Sequence, residues 1–158
     1  MVRAFWRIAV ETPDYGSDDL SGKGPEKSGG RWNRKGTPVI YASSSIALAY
    51  LETMVHLSGF EPLPLNRYLI KIEIPGAAWK ARTVFDAARH VSWDALPAGL
   101  TSLDWGTEWV QSGTSPVAEV PSIVVPEESN ILINPGHPEA AKLIARKIRR
   151  WTYDTRLT

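Results

Sequence analysis

GGRWNRKGTPVIYASSSIALAYLE, residues 29–52, reads as a strand end introduced by glycines, a tight turn, a second strand and a helix. Gly29 and Gly30 permit positive φ and a close approach of backbone to a ligand. Arg31-Trp32-Asn33 follows as a short strand ending, and Gly36-Thr37-Pro38 punctuates the segment. Val39-Ile40-Tyr41-Ala42 is an apolar run of the kind found in buried strands. Ser43, Ser44 and Ser45 offer oxygens to cap the next helix. Leu48, Leu51 and Val55 then recur at helical spacing, which predicts an apolar stripe. Glu52 lies at the edge of that stripe, where a carboxylate needs a partner or a function because burying it unpaired is costly. Arg31, Tyr41 and Glu52 therefore carry the chemistry at the ends of these elements. Taken singly, Arg31 and Glu52 are also compatible with an ion pair, and Tyr41 with a core position. The arrangement as a whole points to a site.

A chain of 158 residues, 43% hydrophobic and 22% charged, has the size and composition of one soluble globular domain. Its formal charge of +1 gives no global steering toward nucleic acid or membrane. Cysteine is absent, so disulfide and thiolate chemistry are excluded. The three histidines, His56, His90 and His137, have no metal-site spacing. Neither a signal peptide nor an apolar run of membrane-spanning length is evident, and a cytoplasmic protein is expected. Seven tryptophans suit either stacking surfaces or a packed core.

Ala4–Val10 reads as an opening strand. Within it Arg7 is either paired with a carboxylate or reaches into a cleft for an anion. Residues 11–30 lack periodicity, and so long a loop suggests a mobile cover over the site. From Tyr68 onward Ile70, Ile72 and Ile74 alternate with Lys71 and Glu73, which predicts a half-buried antiparallel strand ended by Pro75-Gly76. Residues 77–104 suggest short turns pinned by aromatic contacts and receive no chemistry. Residues 105–113 form a short core-packing helix with Gly113 at its C-cap. Ala118–Pro126 is a strand bracketed by prolines, an edge or irregular where Pro121 lacks its amide; Ser122 sits at that interruption and reads locally as an ordinary strand serine. Ile131–Asn134 is the next strand. Pro138–Arg150 has the clearest helical pattern, with Ala141, Ile144, Ile148 and Trp151 as its buried stripe and its basic face outward. Residues 151–156 complete the chain as a final strand. Short, mostly antiparallel strands with a few helices and no linker predict a single α+β domain over 1–158.

Three clusters of residues, Gly29–Asn33, Gly36–Ser43 and Ala47–Glu52, resemble the RES domain family. Further matching pieces are Phe5–Ile8, Val120–Pro126 with Asn130, Leu132–Pro135 with His137-Pro138, and Tyr153–Leu157. This resemblance implies a fold similar to that of ADP-ribosyltransferases, and the toxin of a toxin–antitoxin pair that degrades NAD and arrests growth. It implies catalytic roles for Arg31, Tyr41 and Glu52, and substrate binding by Arg7, Arg31, Tyr41 and Ser122. NAD would be the substrate, with inorganic phosphate as a co-substrate if the reaction is phosphorolysis; no cofactor or metal is required. The implied partner is an Xre-like helix-turn-helix antitoxin that blocks the site within a multimeric complex.

Cleavage of a nicotinamide–ribose bond passes through an oxocarbenium-like state. Arginine suits the pyrophosphate, an aromatic ring the nicotinamide, and a carboxylate the developing positive charge. The acceptor is left open between water and phosphate, with mono-ADP-ribosyl transfer to a protein as the alternative. An RNA-cleaving or nucleic-acid-binding toxin is the rival reading. It requires a concentrated basic and aromatic surface, which the near-neutral charge disfavours.

Overall fold

A computed structural model describes residues 1–57 and 62–157. Strands β1 (Val2–Val10), β2 (Ile40–Ser43), β3 (Arg67–Pro75), β4 (Thr83–Val84), β5 (Val117–Pro121), β6 (Ser129–Ile133) and β7 (Ile144–Arg150) form one sheet in the order β4-β5-β6-β2-β1-β3-β7. All neighbours are antiparallel except β4 and β5. Helices α1 (Lys23–Ser28), α2 (Ile46–Leu57), α3 (Gly76–Lys80) and α4 (Leu100–Ser112) complete an α+β fold, as expected.

Pairing along the sheet is uneven. β1 and β3 are in register from Val2↔Pro75 to Val10↔Arg67, whereas β1 and β2 share only the Trp6↔Ser43 pair. β2 is short because Pro38 denies it an amide on one side and the serines turn the chain into α2 on the other. The distal half of β1 consequently has no registered β2 partner, and segment 15–28 packs beside it instead.

Side-chain alternation sorts the core onto two faces. Phe5, Ala9, Ile40, Ala42, Ile70, Ile72, Ile74, Ile131 and Ile133 form one cluster. On the other face Val39 and Leu132 pack with Trp32, Phe85 and, from α4, Trp109. Beside them, Leu57, Leu69, Trp151 and Tyr153 pack with Trp6, Ile46 and Tyr50 of β1 and α2. The predicted strand through Ile70, Ile72 and Ile74 is present with all three fully buried. The helix ending at Gly113 is present and begins earlier, at Leu100; Gly113 takes a left-handed φ of 62°.

Other segments depart from the sequence reading. Residues 138–150 are not a helix: Pro138–Lys142 is a 3-10 turn, and Ile144–Arg150 is edge strand β7 on β3. Helix propensity is a weak prior, and here the open edge of β3 overrides it, with Arg146 pairing to Glu73 and Lys147 to Glu11. Ile144 and Ile148, expected to be buried, are 47% and 49% exposed. On α2, Leu48 and Ala49 are buried while Leu51 and Val55 are 43% and 52% exposed. Glu52, four residues after Leu48, therefore lies on the sheet-facing side. Residues 31–33 form a turn closed by a Gly30↔Asn33 bridge, and the strand through Ser122 ends at Pro121. The chain end is no strand either. Trp151 and Tyr153 are buried side chains pinned to α2, with the Tyr153 hydroxyl 2.9 Å from Thr53 Oγ1 and the Asp154 amide donating to the Tyr50 hydroxyl.

Candidate active site

Ser45 Oγ accepts from the Leu48 amide at 3.0 Å, so the serine run does cap α2. The helix then carries Glu52 over β6 and the loop after β5. Ser122 Oγ donates to Glu52 Oε1 at 2.6 Å, and Asn130 Nδ2 donates to the same oxygen at 2.8 Å. Behind Asn130, Ser43 Oγ donates to its Oδ1 at 2.7 Å. Ser122 is fully buried and accepts from the Val124 and Val125 amides, at 3.1 and 3.0 Å. Its one donor and two acceptor sites are then filled. Ser122, expected to bind substrate, gives its hydroxyl hydrogen to Glu52. Glu52 Oε2 has no hydrogen-bond partner among the described residues, and the residue is partly exposed. One oxygen is locked and the other is available.

Tyr41 projects from β2 on the Ser43 side of the sheet. Its hydroxyl donates to Asn33 Oδ1 at 2.5 Å and accepts from the Trp32 amide at 3.1 Å. Asn33, fully buried, donates onward to the carbonyls of Pro25 at 2.8 Å and Thr37 at 2.9 Å. The phenol therefore braces the 30–33 turn, and its ring is what remains for a ligand. Burial raises the Tyr41 hydroxyl above its ordinary 10.0, against the Trp32 amide and the Arg31 charge. The double glycine is required here: Gly29 has φ 69°, and a Cβ on Gly30 would lie 2.7 Å from the Tyr41 hydroxyl oxygen. Gly106 of α4 has the same need, since a Cβ there would overlap the Trp32 carbonyl.

Arg31 leaves that turn and donates through Nη1 to the carbonyls of Trp93 at 3.1 Å and Ala95 at 2.9 Å. Burial lowers its guanidinium below the ordinary 12.5, while Glu52, Asp94 and Tyr41 act to hold it up. Arg31 and Glu52 sense each other yet form no ion pair. Nε and Nη2 of Arg31 have no protein acceptor among the described residues. Segment 93–95, to which no chemistry was assigned, is therefore the wall that aims Arg31.

Arg31, Tyr41, Glu52 and Ser122 are thus gathered on one side of the sheet. Arg7 is not among them. Trp6 pairs with Ser43 and shares its face, so Arg7, the next residue, points to the other. There it lines a cavity with segment 15–28, and no carboxylate among the described residues pairs with it. The expected loop cover over the Arg31–Glu52 site is instead the wall of this second space. Four of the tryptophans, Trp32 and Trp93 with Trp105 and Trp109 of α4, pack into one core cluster, not as an open platform. Asn33, Asn130 and Ser43 were not singled out as site residues, although all three lie inside the motifs that carry the family resemblance. No described group of three or more His, Asp or Glu is placed to hold a metal, and no described helix is long and apolar enough to cross a membrane.

Comparison with known proteins agrees with those motifs. The RES domain matches residues 4–156. A Prs ADP-ribosylating toxin of Sphingobium sp. (strain YBL2) is 49% identical over 99% of this chain and 98% of its own length. A Toxin Res of Yersinia enterocolitica is 41% identical over 84% of each chain, and a Toxin Res of Pseudomonas putida is 34% identical over 97% of this chain and 98% of its own. With the family spanning nearly every residue, the chain belongs to the RES domain family.

Proposed function

We propose that this chain is a toxin that cleaves the nicotinamide–ribose bond of NAD. The observation that carries this reading is Glu52: one oxygen is held by Ser122 and Asn130, the other is free, and Tyr41 and Arg31 stand on the same side of the sheet. As nicotinamide leaves, positive charge develops on the ribose, and a fixed carboxylate oxygen stabilises it without reorganising. The fixed Tyr41 ring offers an apolar face to the nicotinamide, and the free edge of Arg31 a fork for phosphate oxygens.

Two fates of the ADP-ribosyl group follow. Transfer to water or inorganic phosphate would deplete NAD and arrest growth. Transfer to a protein is favoured by one observation, the 49% identical relative named for ADP-ribosylation. A neutralising partner, an Xre-like antitoxin covering the site in a multimeric complex, belongs to the same reading, as does action in the cytoplasm. Purified protein incubated with NAD, with and without phosphate and with candidate acceptor proteins, separates the fates by mass spectrometry. ADP-ribose marks hydrolysis, a phosphorylated ADP-ribose phosphorolysis, and a mass increment on protein marks transfer. Nicotinamide release in none of these mixtures would overturn the reading.

A further inference from the structure

Ser43 ends β2 with only 4% of its surface exposed, and it is registered with Trp6 of β1 on one side and Asn130 of β6 on the other. Residues directly opposite in an antiparallel pair stand on the same face of the sheet, so the Ser43 hydroxyl and the Asn130 amide meet across the strands. Ser43 Oγ donates to Asn130 Oδ1 at 2.7 Å, and the other end of that amide donates to Glu52 Oε1 at 2.8 Å. The direction of this chain is fixed from its far side. Ser122 Oγ already accepts from the Val124 and Val125 amides, so toward Glu52 Oε1 it can only donate. Oε1 is thereby an acceptor, and Asn130 must offer it Nδ2 and not Oδ1. A side-chain amide has one end of each kind, so Oδ1 is turned to the opposite side. Among the described residues its one donor there is the Ser43 hydroxyl. An acceptor left unfilled in so enclosed a place is costly, and an amide anchored at one end only has less to fix which end meets Glu52.

We propose that Ser43 is a positioning residue for the reaction at Glu52: its hydroxyl captures Asn130 Oδ1 and so holds Nδ2 on the carboxylate. Ser43 touches no substrate. It acts through the Asn130 amide and leaves Glu52 Oε2 as the oxygen that meets the developing charge. The catalytic consequence rests on the proposed NAD cleavage, whereas the order Ser43, Asn130, Glu52 does not. Without the hydroxyl the amide loses its anchor, one of the two donors to Oε1 weakens, and reorganisation of the carboxylate adds to the barrier. Contacts to the bound substrate are untouched, so the loss falls on kcat and not on KM.

The experiment compares Ser43→Ala, Ser43→Cys and Ser43→Thr in the full chain. Cysteine keeps nearly the size of serine with a weak donor, and threonine keeps the hydroxyl with an added methyl. Loss of the hydroxyl is expected to lower kcat for NAD about three- to tenfold in the alanine and cysteine variants, with KM near that of the parent and most of the rate recovered by threonine. A packing role predicts the other order, with cysteine near the parent and threonine impaired. A second readout needs no turnover. The side-chain amide signals of Asn130 in a nitrogen–proton NMR spectrum are expected to shift and broaden in Ser43→Ala and Ser43→Cys, and to stay near the parent position in Ser43→Thr. Circular dichroism checks each fold, and Ser43→Cys carries the test if Ser43→Ala does not fold. A parent without NAD turnover would sink the proposed function, and the NMR signals then decide the role of Ser43 by themselves. Unchanged kcat in the folded alanine and cysteine variants, or a rate that follows side-chain size and not the hydroxyl, overturns the proposal, as does an Asn130 signal that none of the substitutions moves.

Discussion

The Glu52 cluster and the Arg7 cavity lie on opposite faces of the same strands, and the protein completes them to different degrees. Around Glu52, Ser43, Asn130 and Ser122 bond to one another or to backbone until a single carboxylate oxygen is left over. Beside Arg7, a guanidinium is left without a hydrogen-bonded acceptor among the described residues. The first arrangement is preorganised, as stabilisation of developing charge requires. The second is finished only when something else arrives.

Glu52→Gln is the sharpest attack on that contrast. It keeps shape and removes charge, and NAD turnover is expected to fall at least about 100-fold, with the melting temperature unchanged. A loss of stability large enough to explain the lost activity would make Glu52 structural and dissolve the comparison. Tyr41→Phe strips the acceptor from the Trp32 amide and the donor from Asn33 Oδ1 but keeps the ring. Denaturant unfolding is expected to show a cost of about 1–3 kcal/mol for the buried groups left unpaired, with substrate affinity retained if the ring is what meets the ligand. Asn130→Ala removes one of the two donors to Glu52 Oε1. Loss of that hydrogen bond, worth about 1.5 kcal/mol to a charged group, corresponds to a kcat lowered about tenfold with KM near that of the parent; an unchanged kcat would remove Asn130 from the preorganising set.

The smallest effect concerns pH. Hydrogen bonds from Ser17, first its amide, and then Lys147 hold the Glu11 carboxyl down to about 2 from its ordinary 4.5. A depressed carboxyl contributes stability that is fully present above the unfolded value and is lost as the pH falls through the folded one. Between 4.5 and about 2 the parent should therefore lose stability more steeply than Glu11→Gln, read as melting temperature against pH. Equal slopes would mean that Glu11 does not tie down the wall that carries Ser17.

Much of this was legible in the chain. Strict alternation at Ile70, Ile72 and Ile74 has no helical reading, and the strand is where it was expected. Gly113 ends α4 as its position implied. The residue types around Arg31, Tyr41 and Glu52 were visible too, because glycine, proline and serine punctuate short elements locally. Residues 144–150 misled because IARKIRR is compatible with either period; an unpaired edge of β3 made the choice. Arg7 illustrates the same limit. Its two readings, ion pair or anion cleft, differ only in whether a carboxylate from another segment comes within bonding distance, and among the described residues none does.

By itself, then, the sequence determined the periods, the breaks and the chemistry each element carries, since these depend on neighbours within a turn or a strand. Tertiary structure alone decided the rest. Packing on the sheet buried Leu48 and Ala49 of α2 and left Leu51 exposed, which brought Glu52 inward. Its two donors come from Ser122 and Asn130, 70 and 78 positions away. Hydrogen bonds of that span exist only once the strands between them have paired, and no local pattern encodes them.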